Sequence, residues 1–232
     1  MTSRNYAFEP AATPTLAVAG STQLFPVRRI YCVGRNFAAH AIEMGHDPSK
    51  EPPFFFQKNA DNVTLVDGGF PYPSHSKDVH FEIEMVVGLS KGGKDIAVDD
   101  AEDHVFGYGI GLDMTLRDIQ AEAKELRRPW EVAKAFEHSA PCGPLFPVSA
   151  VGHPSSGDIW VDVNGERRQT GDLNQMIWKV PEIISYLSKL FVLERGDLIF
   201  TGTPAGVGGI TNGDVMVCHV AGLGELTIPV VQ

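Results

Sequence analysis

The stretch His80-Phe81-Glu82-Ile83-Glu84-Met85-Val86-Val87-Gly88-Leu89 alternates polar and apolar side chains before it runs into continuous hydrophobics. A period of two is the mark of a strand: His80, Glu82 and Glu84 share one face, and Phe81, Ile83 and Met85 the other. With Val79 in front, residues 79–89 form the strongest strand signal in the chain. Two carboxylates two residues apart on a strand lie about 7 Å from each other. Near a core their repulsion is costly unless a positive charge sits between them. The pattern therefore has two readings. It is the wet face of an amphipathic strand, or part of an all-oxygen site for a hard divalent cation such as magnesium, manganese or calcium.

Working outward, residues 105–113 (VFGYGIGLD) read as a Gly-rich strand and 116–126 as a helix that stops before Pro129. Strands at 158–164 and 166–170 are joined at Asn164-Gly165, a dipeptide suited to a tight hairpin. Residues 181–190 make an amphipathic helix with Pro181 in its first turn. Segments 197–201, 214–220 and 225–231 read as strands, and 101–104 as a helix start. Upstream, strand 29–33 breaks at Gly34-Arg35-Asn36, residues 37–44 have helical spacing, and 54–58 read as a buried aromatic strand. Residues 66–78 read as a loop, and 1–27 as an extended lead-in with a short strand near 15–19. Strands and helices do not alternate regularly, which disfavours a doubly wound parallel sheet. The expected fold is mostly β with short helices, of the α+β class, as a single catalytic domain over 28–232.

The 232 residues are 43% hydrophobic and 21% charged, a globular composition. Acidic residues outnumber basic ones 29 to 19, which argues against nucleic acid or an anionic membrane as partner. Cys32, Cys142 and Cys218 are scattered with no CxxC spacing, so reduced, buried thiols in a cytoplasmic protein are expected. Neither a signal-type apolar segment nor a run of about 20 apolar residues occurs. Loop 201–208 (TGTPAGVG) lacks the ending of a phosphate loop, and no nucleotide cofactor is expected. Its amides and the Thr203 hydroxyl either meet a carboxylate or simply form a tight turn.

Other residues carry possible chemistry. Asp113 ends an apolar strand where an acid is otherwise badly placed. Arg117 and Gln120 follow at i+4 and i+7, so a helix starting near Asp113 would put all three on one stripe. Singly, Arg117 and Gln120 also fit exposed helix positions. His40 and Glu43, at i and i+3, are neighbours on a helix, and the carboxylate can orient the imidazole as a general base. Lys134 lies among Val132, Ala133, Ala135 and Phe136, where a lysine either snorkels or gives charge to a pocket.

These segments together resemble the fumarylacetoacetate hydrolase family. The matching motifs are GRNFAAHAIEM at 34–44, FFFQK at 54–58, HFEIEMVVGL at 80–89 and GYGIGLDMTLRDIQ at 107–120. PWEVAKAF at 129–136, NGERRQTG at 164–171 and GDLIFTGTPAGVG at 196–208 follow in the same order. The resemblance implies a mixed β-sandwich roll, usually a homodimer, and a divalent ion, magnesium first and manganese or calcium next, on Glu82, Glu84 and Asp113. It implies a His40–Glu43 catalytic dyad with Lys134, and substrate contacts from Arg117, Gln120, Thr203 and Lys58; Arg35, in the turn before the dyad, joins this set. The chain is too short for the extra N-terminal domain of the long members, and Tyr31-Cys32-Val33 stand where those have an acidic ligand. The short acylpyruvase-like members, and among them the bacterial fumarylpyruvate hydrolases of gentisate breakdown, are the nearer match. The implied reaction is hydrolysis of the C3–C4 bond of a 2,4-dioxo acid to pyruvate and a carboxylic acid. Oxaloacetate decarboxylation, keto–enol tautomerisation and a non-catalytic metal-stabilised binding module are the alternatives.

Overall fold

The computed structural model describes residues 6–44, 47, 52–65 and 68–232. The segment expected as one strand is two. Val79–Phe81 and Ile83–Leu89 part at Glu82 and enter different sheets. At the break the Glu82 carbonyl accepts from Asp113 N (2.9 Å), and the Ile83 amide donates to the Gln169 side chain (3.0 Å) instead of to a neighbouring strand.

Ile83–Leu89 is central in an eight-stranded mixed sheet. The order is Phe54–Lys58, Arg29–Gly34, Asp197–Phe200, Ile83–Leu89, Val105–Leu112, Ala140–Cys142, Val63–Leu65, with Phe146–Pro147 also paired to Val105–Leu112. Arg29–Gly34 and Asp197–Phe200 run parallel, and both neighbours of Ile83–Leu89 run antiparallel to it. A second sheet orders Glu166–Asp172, Asp158–Val163, Val215–Val220, Gly224–Val231 and Phe70–Pro71. The expected hairpin is present, with Asn164 and Gly165 both at positive φ (54° and 80°).

The period-two reading explains how the layers pack. Phe81, Ile83, Met85 and Val87 are buried in one core cluster with Ile159, Val161, Met216 and Ile228 of the second sheet. This is the sandwich. On the other face Val86, Cys32 and Phe200 meet Leu16 and Phe25 from the hairpin Thr15–Ala17 and Leu24–Pro26. The lead-in thus covers the outer face of the large sheet, and burying Leu16 and Phe25 contributes about 1.5–3 kcal/mol each.

Five helices are described: α1 (Ala38–Glu43), α2 (Arg117–Glu125), α3 (Glu131–Lys134), α4 (Val148–Val151) and α5 (Val180–Leu190). The helix start expected near residue 101 is a 3-10 segment, Val98–His104. The 66–78 loop contains the strand Phe70–Pro71, paired in parallel with the C-terminal strand; residues 66 and 67 lie outside the described set. No described helix is long and apolar enough to cross a membrane.

A small third sheet, Thr115–Leu116, Val79–Phe81 and Gly208–Ile210, locates the candidate site. Each of its strands is joined directly to a strand of the large sheet. The three connections are Glu82, the Asp113-Met114 pair and the loop 201–207. They converge in one place.

Candidate active site

Glu82, Glu84 and Asp113 each offer a carboxylate oxygen within 4.8 Å of the others, and all three are buried. Glu84 is 2% exposed, so the wet-face reading of the strand fails. Asp113 reaches the cluster by a route different from the helical stripe. α2 begins only at Arg117, whose amide donates to the Asp78 carbonyl (2.8 Å), so Asp113 sits on the sheet-to-sheet crossing instead.

Three cations balance the three carboxylates. Lys134 Nζ donates to Glu82 Oε2 (2.9 Å), Asp113 Oδ2 (2.7 Å) and Thr115 Oγ1 (2.6 Å). Lys58 Nζ stands 2.8 Å from Asp113 Oδ1 and donates to the backbone carbonyls of Met114 and Lys134. Arg117 spans Glu82 Oε1 (2.6 Å) and Gln120 Oε1 (2.7 Å).

The carboxylates respond to their surroundings unequally. Burial opposes ionisation of Glu82, but Lys134 and Arg117 outweigh it and hold that carboxyl well below the usual range. Glu84 goes the other way. Burial pushes its pKa up, and the charges of Asp113 and Glu82 push it further, against the Gly202 amide that donates to Oε2 at 2.7 Å. Burial would lower the pKa of Lys134, but Asp113 and Glu82 raise it. Asp113 Oδ1 is buried and accepts no hydrogen bond of good geometry, although Lys58 is beside it. A carboxylate driven toward protonation by like charges, and a buried oxygen short of a donor, fit a centre that takes a further cation.

His40 Nδ1 is 3.1 Å from Glu43 Oε2 on α1. A proton on Nδ1 leaves the Nε2 lone pair as the base. In its protonated form His40 would add to the cations that lower the pKa of Glu82. The Gly-rich loop joins the dyad to the triad, because the Gly206 amide donates to Glu43 (3.3 and 3.4 Å) while Gly202 donates to Glu84. The loop amides therefore meet protein carboxylates. Gly202 is at φ +95°, and a Cβ there would come within 2.7 Å of Asn36 Cβ. Gly34 is needed for close approach, since its Cβ would enter the Phe54 ring.

Two residues with no role assigned from sequence hold this frame. Asn36, fully buried, donates to the carbonyls of Trp178 (2.9 Å) and Thr201 (2.8 Å) and accepts from Trp178 N (2.7 Å). It ties the turn before α1 to the Gly-rich loop. Gln169, also fully buried, accepts from Ile83 N and donates to Thr203 Oγ1 (2.9 Å) and Pro204 O (2.7 Å). Both lie inside the quoted motifs, but their partners are too far along the chain for local pattern to reveal.

The triad, His40 and the loop residue Thr203 surround one cleft, with Glu43 behind His40. Arg35, His40, Arg117, Gln120, Lys134 and Thr203 line it. Lys58 does not: it lies behind Asp113 with its contacts on protein groups. All three Lys134 protons likewise have protein acceptors, so an oxyanion contact from Lys134 would require giving one up. Phe54, Phe56, Lys124 and Trp130 complete the wall and were not singled out from sequence.

A buried all-oxygen carboxylate cluster beside a His–Glu pair has the donor set for a divalent ion next to a proton acceptor. Residues 29–231 match the family model described as "Fumarylacetoacetate (FAA) hydrolase C-terminal", and the chain belongs to that family of enzymes. A crystal structure of fumarylpyruvate hydrolase from Pseudomonas aeruginosa in complex with Mn2+ and pyruvate is 54% identical, with a TM-score of 0.95, over 98% of this chain and 99% of that one. The mitochondrial oxaloacetate decarboxylase of Dictyostelium discoideum is 40% identical over 84% of this chain and 90% of its own length. The mitochondrial oxaloacetate tautomerase of Homo sapiens is 38% identical over 88% and 91%.

Proposed function

We propose that this chain hydrolyses the C3–C4 bond of a 2,4-dioxo acid, with fumarylpyruvate the preferred substrate, releasing pyruvate and fumarate. The observation that carries this reading is the placing of a His40–Glu43 base and a three-carboxylate cluster around one cleft, tied together by the amides of Gly202 and Gly206. Likeness to the Pseudomonas aeruginosa fumarylpyruvate hydrolase, crystallised with Mn2+ and pyruvate, supports both the substrate and a divalent ion, Mg2+ or Mn2+.

Glu82, Glu84 and Asp113 would hold the ion, with Lys58 and Lys134 as buried countercharges. When bound, it supplies Lewis acidity toward the 1-carboxylate and 2-oxo groups and accommodates the negative charge that C–C cleavage leaves on the pyruvate fragment. Three carboxylates and three cations sum to no net charge, so a divalent ion leaves the centre at plus two. That suits an anionic substrate whose negative charge grows as the bond breaks. Arg117 has guanidinium protons beyond those given to Glu82 and Gln120, and these orient the substrate carboxylate. His40, aligned by Glu43, takes a proton from water, and the hydroxide adds to C4. Gln120 binds Arg117 through its carbonyl and Thr203 accepts from Gln169. This leaves the Gln120 amide protons and the Thr203 hydroxyl proton as the neutral donors for the developing C4 oxyanion. When the C3–C4 bond breaks, its electron pair leaves on the pyruvate carbon, which is then protonated. Buried free thiols and the absence of a membrane-crossing helix among the described residues fit a cytoplasmic setting.

A second reading, oxaloacetate decarboxylation or tautomerisation, is favoured by the two mitochondrial relatives. Neither reaction needs an attacking water. A coupled assay for pyruvate with fumarylpyruvate, acetylpyruvate and oxaloacetate, with the enol absorbance of oxaloacetate followed for tautomerisation, which releases no pyruvate, separates the two readings. His40→Ala should lower acylpyruvate hydrolysis by about 100-fold or more and spare oxaloacetate decarboxylation. Equal loss on all three substrates, or none, would contradict the base role.

A further inference from the structure

Lys124 is a cation at the cleft that neither the triad nor the dyad uses. It follows Gln120 by four and Arg117 by seven residues, so α2 presents all three on one face, with Lys124 about 10 Å along the axis from Arg117. Its ammonium lies 5.2 Å from the centre of the Trp130 ring. Trp130 meets Phe54 edge to face at 5.7 Å, and the guanidinium of Arg35 lies 5.2 Å over Phe54. Two cations thus rest on the two rings of one aromatic pair, and all four side chains line the cleft. Among the described residues no carboxylate comes within ion-pair distance of Lys124. Burial lowers its pKa, and the facing charges of Arg117 and Arg35 lower it further. Lys124 is thus a cleft cation with no carboxylate partner among the described residues, and a bound anion would supply one.

The 1-carboxylate end of the substrate belongs at the triad and Arg117. An extended acylpyruvate held there runs along α2 toward Lys124. We propose that Lys124, together with Arg35, is the subsite for a second carboxylate at the distal end of the acyl group, with Phe54 and Trp130 packing its unsaturated carbons. The inference rests on the acylpyruvate reading and deepens it. It selects 2,4-dioxo acids that are dicarboxylates, such as fumarylpyruvate, over acetylpyruvate, whose distal end is a methyl group.

The test is calorimetric titration of the Mn2+-loaded protein with 2-oxoheptanedioate and 2-oxoheptanoate. These 2-oxo acids lack the 4-oxo group and cannot be hydrolysed, and they differ only in the distal carboxylate. Wild type should bind the dioate about tenfold or more tighter than the monoacid. Lys124→Met should reduce that preference to within about twofold, Lys124→Arg should keep most of it, and Lys124→Glu should reverse it. A wild type that binds neither acid, or both equally, overturns the subsite, as does a Lys124→Met variant that keeps the preference. Pyruvate release from fumarylpyruvate, measured separately, tests the underlying reading. Turnover without a dioate preference sinks only the subsite, and a dioate preference without turnover sinks only the hydrolase assignment.

Discussion

Glu84→Gln removes one negative charge from the triad while keeping the side chain's shape and an oxygen to accept from Gly202. At the 4.8 Å that bounds the cluster, a like-charged neighbour costs about 3 kcal/mol at an effective dielectric near 20. Glu84 has two such neighbours, Glu82 and Asp113, and Lys134 and the Gly202 amide offset part of the cost. A net gain of about 1–3 kcal/mol for Glu84→Gln in EDTA at pH 8 is expected, or about 2–10 °C in Tm for a chain of this size. The sign follows from the direction of the shift. The folded-state pKa of Glu84 is raised, so wild type carries no penalty below the ordinary glutamate value of 4.5 and loses stability as pH climbs through the raised value. The two melting curves should therefore converge near pH 4.5 and separate above it. Added Mn2+ should reverse the ranking. At a hundredfold excess over Kd wild type gains about 2.7 kcal/mol, and the variant, short of one ligand, gains much less. Thermal melts over pH 4.5–8, with EDTA or Mn2+, measure all of this. A variant that melts below wild type in EDTA at pH 8 would rule out like-charge repulsion at Glu84, and an undiminished Mn2+ shift would rule out its role as a ligand.

Lys134→Met strips the ammonium from Glu82 and Asp113 and should cost about 3–5 kcal/mol; urea unfolding in EDTA should show the loss and added Mn2+ should recover part of it. Asn36→Ala leaves two carbonyls and one amide without buried partners and should cost about 3 kcal/mol in the same assay. It should also lower kcat, because the turn that carries α1 loses its tie to the Gly-rich loop. Gly202→Ala forces a Cβ against Asn36 at φ +95°, for about 1–3 kcal/mol. It should weaken Mn2+ binding in calorimetry, since the amide that orients Glu84 must move; unchanged affinity would remove that role from the loop.

Much of the site was legible from spacing. Glu-x-Glu on a period-two strand marked a paired-carboxylate face, an acid ending a Gly-rich apolar strand marked Asp113, and i, i+3 spacing marked His40 with Glu43. The strands of the sandwich followed from alternation and from turn residues such as Asn164-Gly165. The break at Glu82 was not legible, because the alternation runs through it undisturbed. The side chain that replaces the strand's next partner is Gln169, 86 residues away. For the same reason sequence could place Lys134 in apolar company but not show that its protons all have acceptors, nor that Lys58 is a countercharge behind Asp113.

Pyruvate release from fumarylpyruvate by metal-stripped protein, followed as Mn2+ is titrated back, shows whether Glu82, Glu84 and Asp113 hold a catalytic ion. No turnover is expected after stripping, with recovery that saturates near one ion per chain and no recovery in Asp113→Ala. Undiminished turnover in the presence of a strong chelator would contradict a catalytic ion there.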